Sequence, residues 1–161
     1  MKTDSFYLAL VLLVAVAMSG LFACTKSDSG FIKAIERSAQ SASTSTNPLV
    51  TISALTDYKW DKLFIFNPYT PVEKIHAQLG YKWAEAKRTD IDSSETFSLL
   101  VFVKDGKVVH YFKLPRTIDF QGMEARNVFT PGNDEFEVKS VAGTTNRFNF
   151  FAKQRKQADS K

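Results

Sequence analysis

Few side chains in this sequence are suited to covalent or acid–base chemistry, and they are thinly spread. There is one cysteine, Cys24, and there are two histidines, His76 and His110. A nucleophilic triad needs a base beside a nucleophile and an acid that orients it. Neither histidine has such neighbours in sequence, and no G-x-S-x-G occurs. His110 falls in an apolar run and reads as a structural histidine. Asp57 and Asp61 flank Trp60. Paired carboxylates do acid–base work when their surroundings push their pKa values apart; in a turn, the same pair bonds backbone amides, which is the favoured reading. Asp90, Asp92 and Glu95 form a small acidic cluster, without the glycine and terminal glutamate of an EF-hand loop. It reads as a solvated loop. The expectation is a chain with no catalytic residues, no metal site and no cofactor. The remaining candidates are aromatic. Trp60, Tyr69, Tyr81 and Trp83, with Asp61, surround one helix and could rim a recognition surface, because Trp and Tyr are enriched where proteins bind tightly. Packing of that helix is the competing, and stronger, reading.

Cys24 has its own context. Lys2 and the amino terminus are followed by an apolar run, Phe6 to Met18, and then by Ser19 and Gly20. A charged start, an apolar centre and a small-residue finish make a secretory signal. Leu21-Phe22-Ala23-Cys24 resembles the lipobox of bacterial lipoproteins, with Phe22 where a small or branched residue is usual. The resemblance covers the first 24 residues. It implies that a diacylglyceryl group is attached to Cys24, that the chain is cut before it, and that the new amino group is acylated. One acyl chain holds a protein marginally and two or more hold it stably. Thr25, in place of the Asp that favours inner-membrane retention in Gram-negative cells, implies an outer-membrane anchor facing the periplasm if the host has one. Two alternatives stay open: an uncleaved transmembrane helix over Phe6 to Ala23, and an ordinary signal peptide beside an incidental cysteine.

Composition bounds the rest. Removing residues 1–23 of the 161 leaves the length of one domain, enough to bury a core without disulfides. With no second cysteine, zinc–thiolate sites are excluded, and an exported domain folds without a disulfide. Net charge is +4. The basic residues cluster only at the end, in Lys153, Arg155, Lys156 and Lys161, which reads as a solvated tail or a contact with anionic lipid. No basic face interleaved with aromatics suggests nucleic acid.

The elements that would position these residues follow from patterning. Thr25 to Gly30 is a polar tether. Apolar residues at 31, 32, 35, 39 and 42 predict a short helix over Phe31 to Ala42, and Ser41 to Asn47 reads as a flexible linker. The expected divisions are a signal over 1–23, a tether with a short helix over 24–47, a domain over 48–152 and a basic tail over 153–161. Within the domain, strands are expected over Leu49 to Leu55 and Trp60 to Phe66. Thr70-Pro71-Val72-Glu73 predicts a helix capped by Thr70, with Glu73 completing a capping box, and Gly80 ends it. Asp105-Gly106 between apolar runs predicts a hairpin of Phe97 to Lys104 with Lys107 to Leu114, covered on both faces. Regular alternation would put Val108, His110, Phe112 and Leu114 on the face of Phe97, Leu99, Val101 and Val103. Further strands are expected near Thr117 to Phe120, Glu135 to Val141 and Arg147 to Ala152. The fold class is α+β, an antiparallel sheet of about five to six strands with one packed helix.

Trp60, Asp61, Phe66, Pro68 and Tyr69, followed by Leu79-Gly80, resemble a W-D-x-x-x-x-F-x-P-Y segment of small uncharacterised bacterial lipoproteins and secreted proteins. That resemblance implies no activity. The sequence therefore points to a lipid-anchored envelope protein, bound to the membrane through Cys24 and to an envelope protein partner, acting as a non-enzymatic binding or structural module such as an inhibitor or immunity factor. The alternatives are an accessory subunit of an envelope assembly or secretion machine, and a hydrolase on envelope material using Asp57, Asp61 or His76.

Overall fold

A computed structural model describes residues 28–124 and 127–153. The apolar run, Cys24 and all of the basic tail but Lys153 lie outside them. The chain is α+β. Helix α1 (Asp28–Ser43) is followed by β1 (Leu49–Thr51), a 3-10 turn (Ile52–Leu55), β2 (Lys62–Phe66), helix α2 (Val72–Leu79) and a second 3-10 turn (Ala86–Thr89). Then come β3 (Phe97–Lys104), β4 (Lys107–Pro115), β5 (Ile118–Gln121), β6 (Val128–Phe129), β7 (Glu135–Ser140) and β8 (Phe148–Ala152). The strands form two four-stranded sheets, ordered β1-β7-β8-β5 and β4-β3-β2-β6, rather than one sheet of five to six strands. All pairings are antiparallel except β5 with β8, which is parallel.

The two sheets and α1 share one core. Phe31, Ile35, Ala39 and Ala42 recur every three or four residues, so they occupy one face of α1, and all four are buried. Phe31 stacks on Phe112 of β4 at 4.5 Å and meets Phe102 of β3 edge-on. Ala39 and Ala42 belong to the same cluster as Phe136 and Val138 of β7. The helix thus bridges the two sheets, and the packed body begins with it instead of near Pro48. The serine-rich stretch shrinks accordingly. Ser41 to Ser43 complete α1, where Ser43 Oγ donates to the Gln40 carbonyl and Thr44 Oγ1 to that of Ser41.

Strand β3 is buried from Phe97 to Val103. Leu100 and Phe102 face the core shared with α1; Leu99, Val101 and Val103 face a second core made by Phe64, Phe66, Val72, Ile75, Trp83 and Ile91. A strand covered on both faces reads as a near-continuous apolar run, which FSLLVFV is apart from the buried Ser98. Its partner β4 is a sheet edge and is only half covered. The Asp105-Gly106 turn forms as expected, with φ of 49° and 73°, and Lys104 pairs with Lys107. Val103 pairs with Val108 but Phe102 with His110, so Val109 is a bulge. One extra residue reverses the facing of everything beyond it. His110, Phe112 and Leu114 therefore share the face of Leu100 and Phe102, not that of Leu99 and Val101.

Two local expectations are also corrected. Helix α2 starts at Val72 with Pro71 as its cap and no side-chain capping bond; Thr70 Oγ1 donates instead to the Asn67 carbonyl at 2.6 Å. Strand β1 stops at Thr51 because buried Asp134 takes the chain over. Its carbonyl accepts from the Ile52 amide and its carboxylate from the Ser53 amide. Pro115 is the last residue of β4, opposite Phe97, a position that an edge strand permits. Gly80 does end α2, at φ 82° with its amide on the His76 carbonyl.

The depth of α1 gives a test. Ile35 is fully buried, so Ile35→Ala should lower unfolding free energy in urea by about 2–5 kcal/mol. A change within roughly 0.5 kcal/mol, as for a surface position, would show that α1 stands outside the fold.

Candidate functional site

The central sheet separates the five residues expected to rim one surface. Trp60 is buried with the α1 core, edge-on to Phe102, and its indole N–H donates to Thr56 Oγ1 at 3.1 Å. Trp83 is buried on the opposite face, against Tyr111 of β4. Tyr81 lies nearby, its hydroxyl accepting from the Val108 amide at 2.9 Å. Tyr69 sits before the other end of α2. It is 57% exposed at φ 62°, a conformation rare for a bulky residue. Its hydroxyl donates to Glu95 at 3.3 Å and its amide to the Ile91 carbonyl. Packing therefore claims both tryptophans. Tyr81 joins Tyr111 at the rim of β4, and Tyr69 borders a separate cleft of about 230 Å³ beside Asn67, Thr70, Lys74 and Asn127.

Asp61 has a defined role. It precedes β2, which pairs with β3, so it reaches the end of the β3–β4 hairpin. One carboxylate oxygen accepts from Lys104 Nζ at 2.8 Å and the other from the Asp105 amide at 2.7 Å. The Lys104 hydrogen bond first, and the Asp105 amide second, hold its carboxyl below the usual range. The Asp61 hydrogen bond correspondingly raises Lys104. Beside this pair opens a cleft of about 300 Å³, walled by Trp60, Thr56, Tyr58, Lys59 and Pro131. The Tyr58 ring lies over that of His110, their centroids 3.9 Å apart and their planes tilted by 33°. Burial first, and Asp57 second, push its phenol well above its ordinary value. The cleft thus presents two lysines and a carboxylate engaged with one of them, groups that hydrogen-bond a ligand, with no base set against a nucleophile; the Tyr58 hydroxyl itself is buried.

The groups considered for acid–base work are not gathered. His76 is on α2, on the far side of the sheet from Tyr58 and Trp60, where its Nε2 lies 3.2 Å from the Trp83 carbonyl. His110 is the ring beneath Tyr58, as a structural histidine would be. Asp90, Asp92 and Glu95 are exposed, Asp90 ending the second 3-10 turn at φ 57°. Among the described residues, no three His, Cys, Asp or Glu side chains are arranged to hold a metal ion, and no helix is long and apolar enough to cross a membrane. Lys104 and the Val109 bulge escaped sequence reasoning. The Asp61–Lys104 pair spans 43 positions, and nothing local in either residue's neighbourhood announces the other.

Comparison with protein-family models, with curated proteins and with solved structures finds no match to this chain.

The lowered Asp61 carboxyl fixes the sign of a pH effect. Its tie to the hairpin contributes stability above the unfolded-chain value of about 3.9, and that contribution is lost as pH falls through the lower folded value. Asp61→Asn should flatten this acid limb of the stability–pH curve. An unchanged limb in urea titrations would remove the tie from the account.

Proposed function

We propose that this chain is a lipid-anchored protein of the bacterial envelope, acting by contact as a binding or structural module. The observation that carries the reading is the apolar run ending in Leu21-Phe22-Ala23-Cys24. Two structural features support it. First, α1 begins at Asp28 and is packed into the core by Phe31, so the folded body starts close behind the proposed lipid attachment. Second, the aromatic and charged side chains that could react are used in packing and in fastening turns, as Trp60, Trp83, Asp61 and His76 illustrate. An envelope protein is the partner class, and Thr25 directs the anchor to an outer membrane where one is present.

Growth with labelled palmitate tests the anchor. Wild type should take up label and partition with membranes, whereas Cys24→Ser should lose the label and, once exported, the partitioning. Label in the Cys24→Ser protein would overturn the lipobox reading.

A further inference from the structure

The proposed anchor lies close in sequence to α1, and the edge strand that α1 packs against carries an unusual surface. Three residues separate Cys24 from the first residue of α1. Four Cα steps of 3.80 Å span at most about 15 Å, so a lipidated Cys24 holds the folded body against the headgroups. The direction of α1 shows which part is held. Its Glu36 accepts from Thr117 Oγ1, beyond the end of β4, and Phe31 stacks on Phe112 within β4. From Glu36 back to Phe31 the contacts step from Thr117 to Phe112, so the start of α1 lies nearer the bulge than its middle does, across β4 from Tyr111.

That edge carries exposed apolar and aromatic groups. Val109 is 42% exposed because the bulge turns it out of both cores. Tyr111 and Tyr81 are each 36% exposed, the first against Trp83 and the second bonded to the Val108 amide. Exposed lysines frame them, Lys107 and Lys113 on β4 and Lys82 beside Tyr81. Lys113 lays its stem over the Phe97 ring, its Nζ 5.1 Å from the ring centre. Tyrosine is the residue of the membrane–water boundary, and lysines at a bilayer surface are drawn to anionic headgroups. We propose that the β4 edge, with Val109, Tyr111 and Tyr81 framed by Lys82, Lys107 and Lys113, lies on the bilayer that holds the Cys24 lipid. The proposal rests on the anchored reading above. It gives the domain one orientation, with β4 on the lipid and the β1-β7-β8-β5 sheet turned away.

Reconstitution separates the two claims. Purified, lipidated full-length protein is placed in phosphatidylethanolamine–phosphatidylglycerol vesicles, with a nitroxide attached through Val109→Cys, Lys113→Cys or, on the sheet turned away, Lys139→Cys. Flotation with the vesicles reports the anchor. Among floated protein, the Val109 and Lys113 labels should lose access to an aqueous nickel relaxant and gain access to oxygen, while the Lys139 label keeps its aqueous exposure. Equal aqueous access at all three positions in floated protein overturns the orientation and leaves the anchor intact. Protection in native envelopes but not in these vesicles also overturns it, and assigns the β4 edge to a protein partner. Failure to float overturns the anchor itself.

Discussion

The ring of Phe102 is the point at which the whole arrangement is fastened. It meets Phe31 of α1, Tyr58, Trp60 and Phe112 edge-on, at centroid separations of 5.4 to 5.8 Å. Edge-to-face contacts at this range are favourable beyond the area they bury, and the ring is fully buried. Through these contacts, strand β3 fixes the first helix, the approach to β2 and the edge strand β4 at once. Its alternate residues, Leu99 and Val101, do the same for α2 and the Trp83 loop. Loss of either covering layer would leave one largely apolar face of β3 open to water.

That constraint explains why the candidate residues are so dispersed. A strand with two apolar faces needs aromatic cover on both, and Trp60 and Trp83 supply it from opposite sides. The residues between and around them are then committed to turns. Asp61 fastens the hairpin, Thr56 receives the Trp60 indole, and His76 meets the Trp83 carbonyl. Among the described residues, the large apolar and aromatic side chains that remain exposed lie at the β4 rim, where the sheet ends and the bulge turns a side chain outward, at Val128 of β6 on the other edge, and at Tyr69. Surface available for recognition is thus created at the edges of the sandwich rather than in its interior.

The second consequence concerns distance from the membrane. A helix in a flexible tether would let the domain range widely. A helix that carries Phe31 into the central core cannot, because separating it would expose Phe31, Ile35, Ala39 and Ala42 together. Burial of roughly 1.5–3 kcal/mol for each large apolar side chain keeps α1 in place. In the anchored reading, the molecule therefore works beside the bilayer, with little reach.

The sequence by itself determined several features whose cause is local, though not the cap of α2, where Thr70 bonds Asn67 instead. Asp105-Gly106 specified its turn because both positions need positive φ; Gly80 stopped α2 for the same reason. The spacing of Phe31, Ile35, Ala39 and Ala42 made an amphipathic helix, and the apolar run at Phe97 made a strand buried on both faces. Tertiary structure decided whatever depends on a partner distant in sequence. It placed α1 inside the body, since a periodic apolar face states that a helix will be covered but not by what. It divided the strands into two sheets and brought β5 beside β8 in parallel, because pairing partners leave no mark on a short strand. It ended β1 through Asp134 and turned β4 over at Val109, because hydrogen bonds from a distant residue set the first position and the register with β3 the second. It also gave the β4 edge its exposed Val109, the residue that the two cores could not both accommodate.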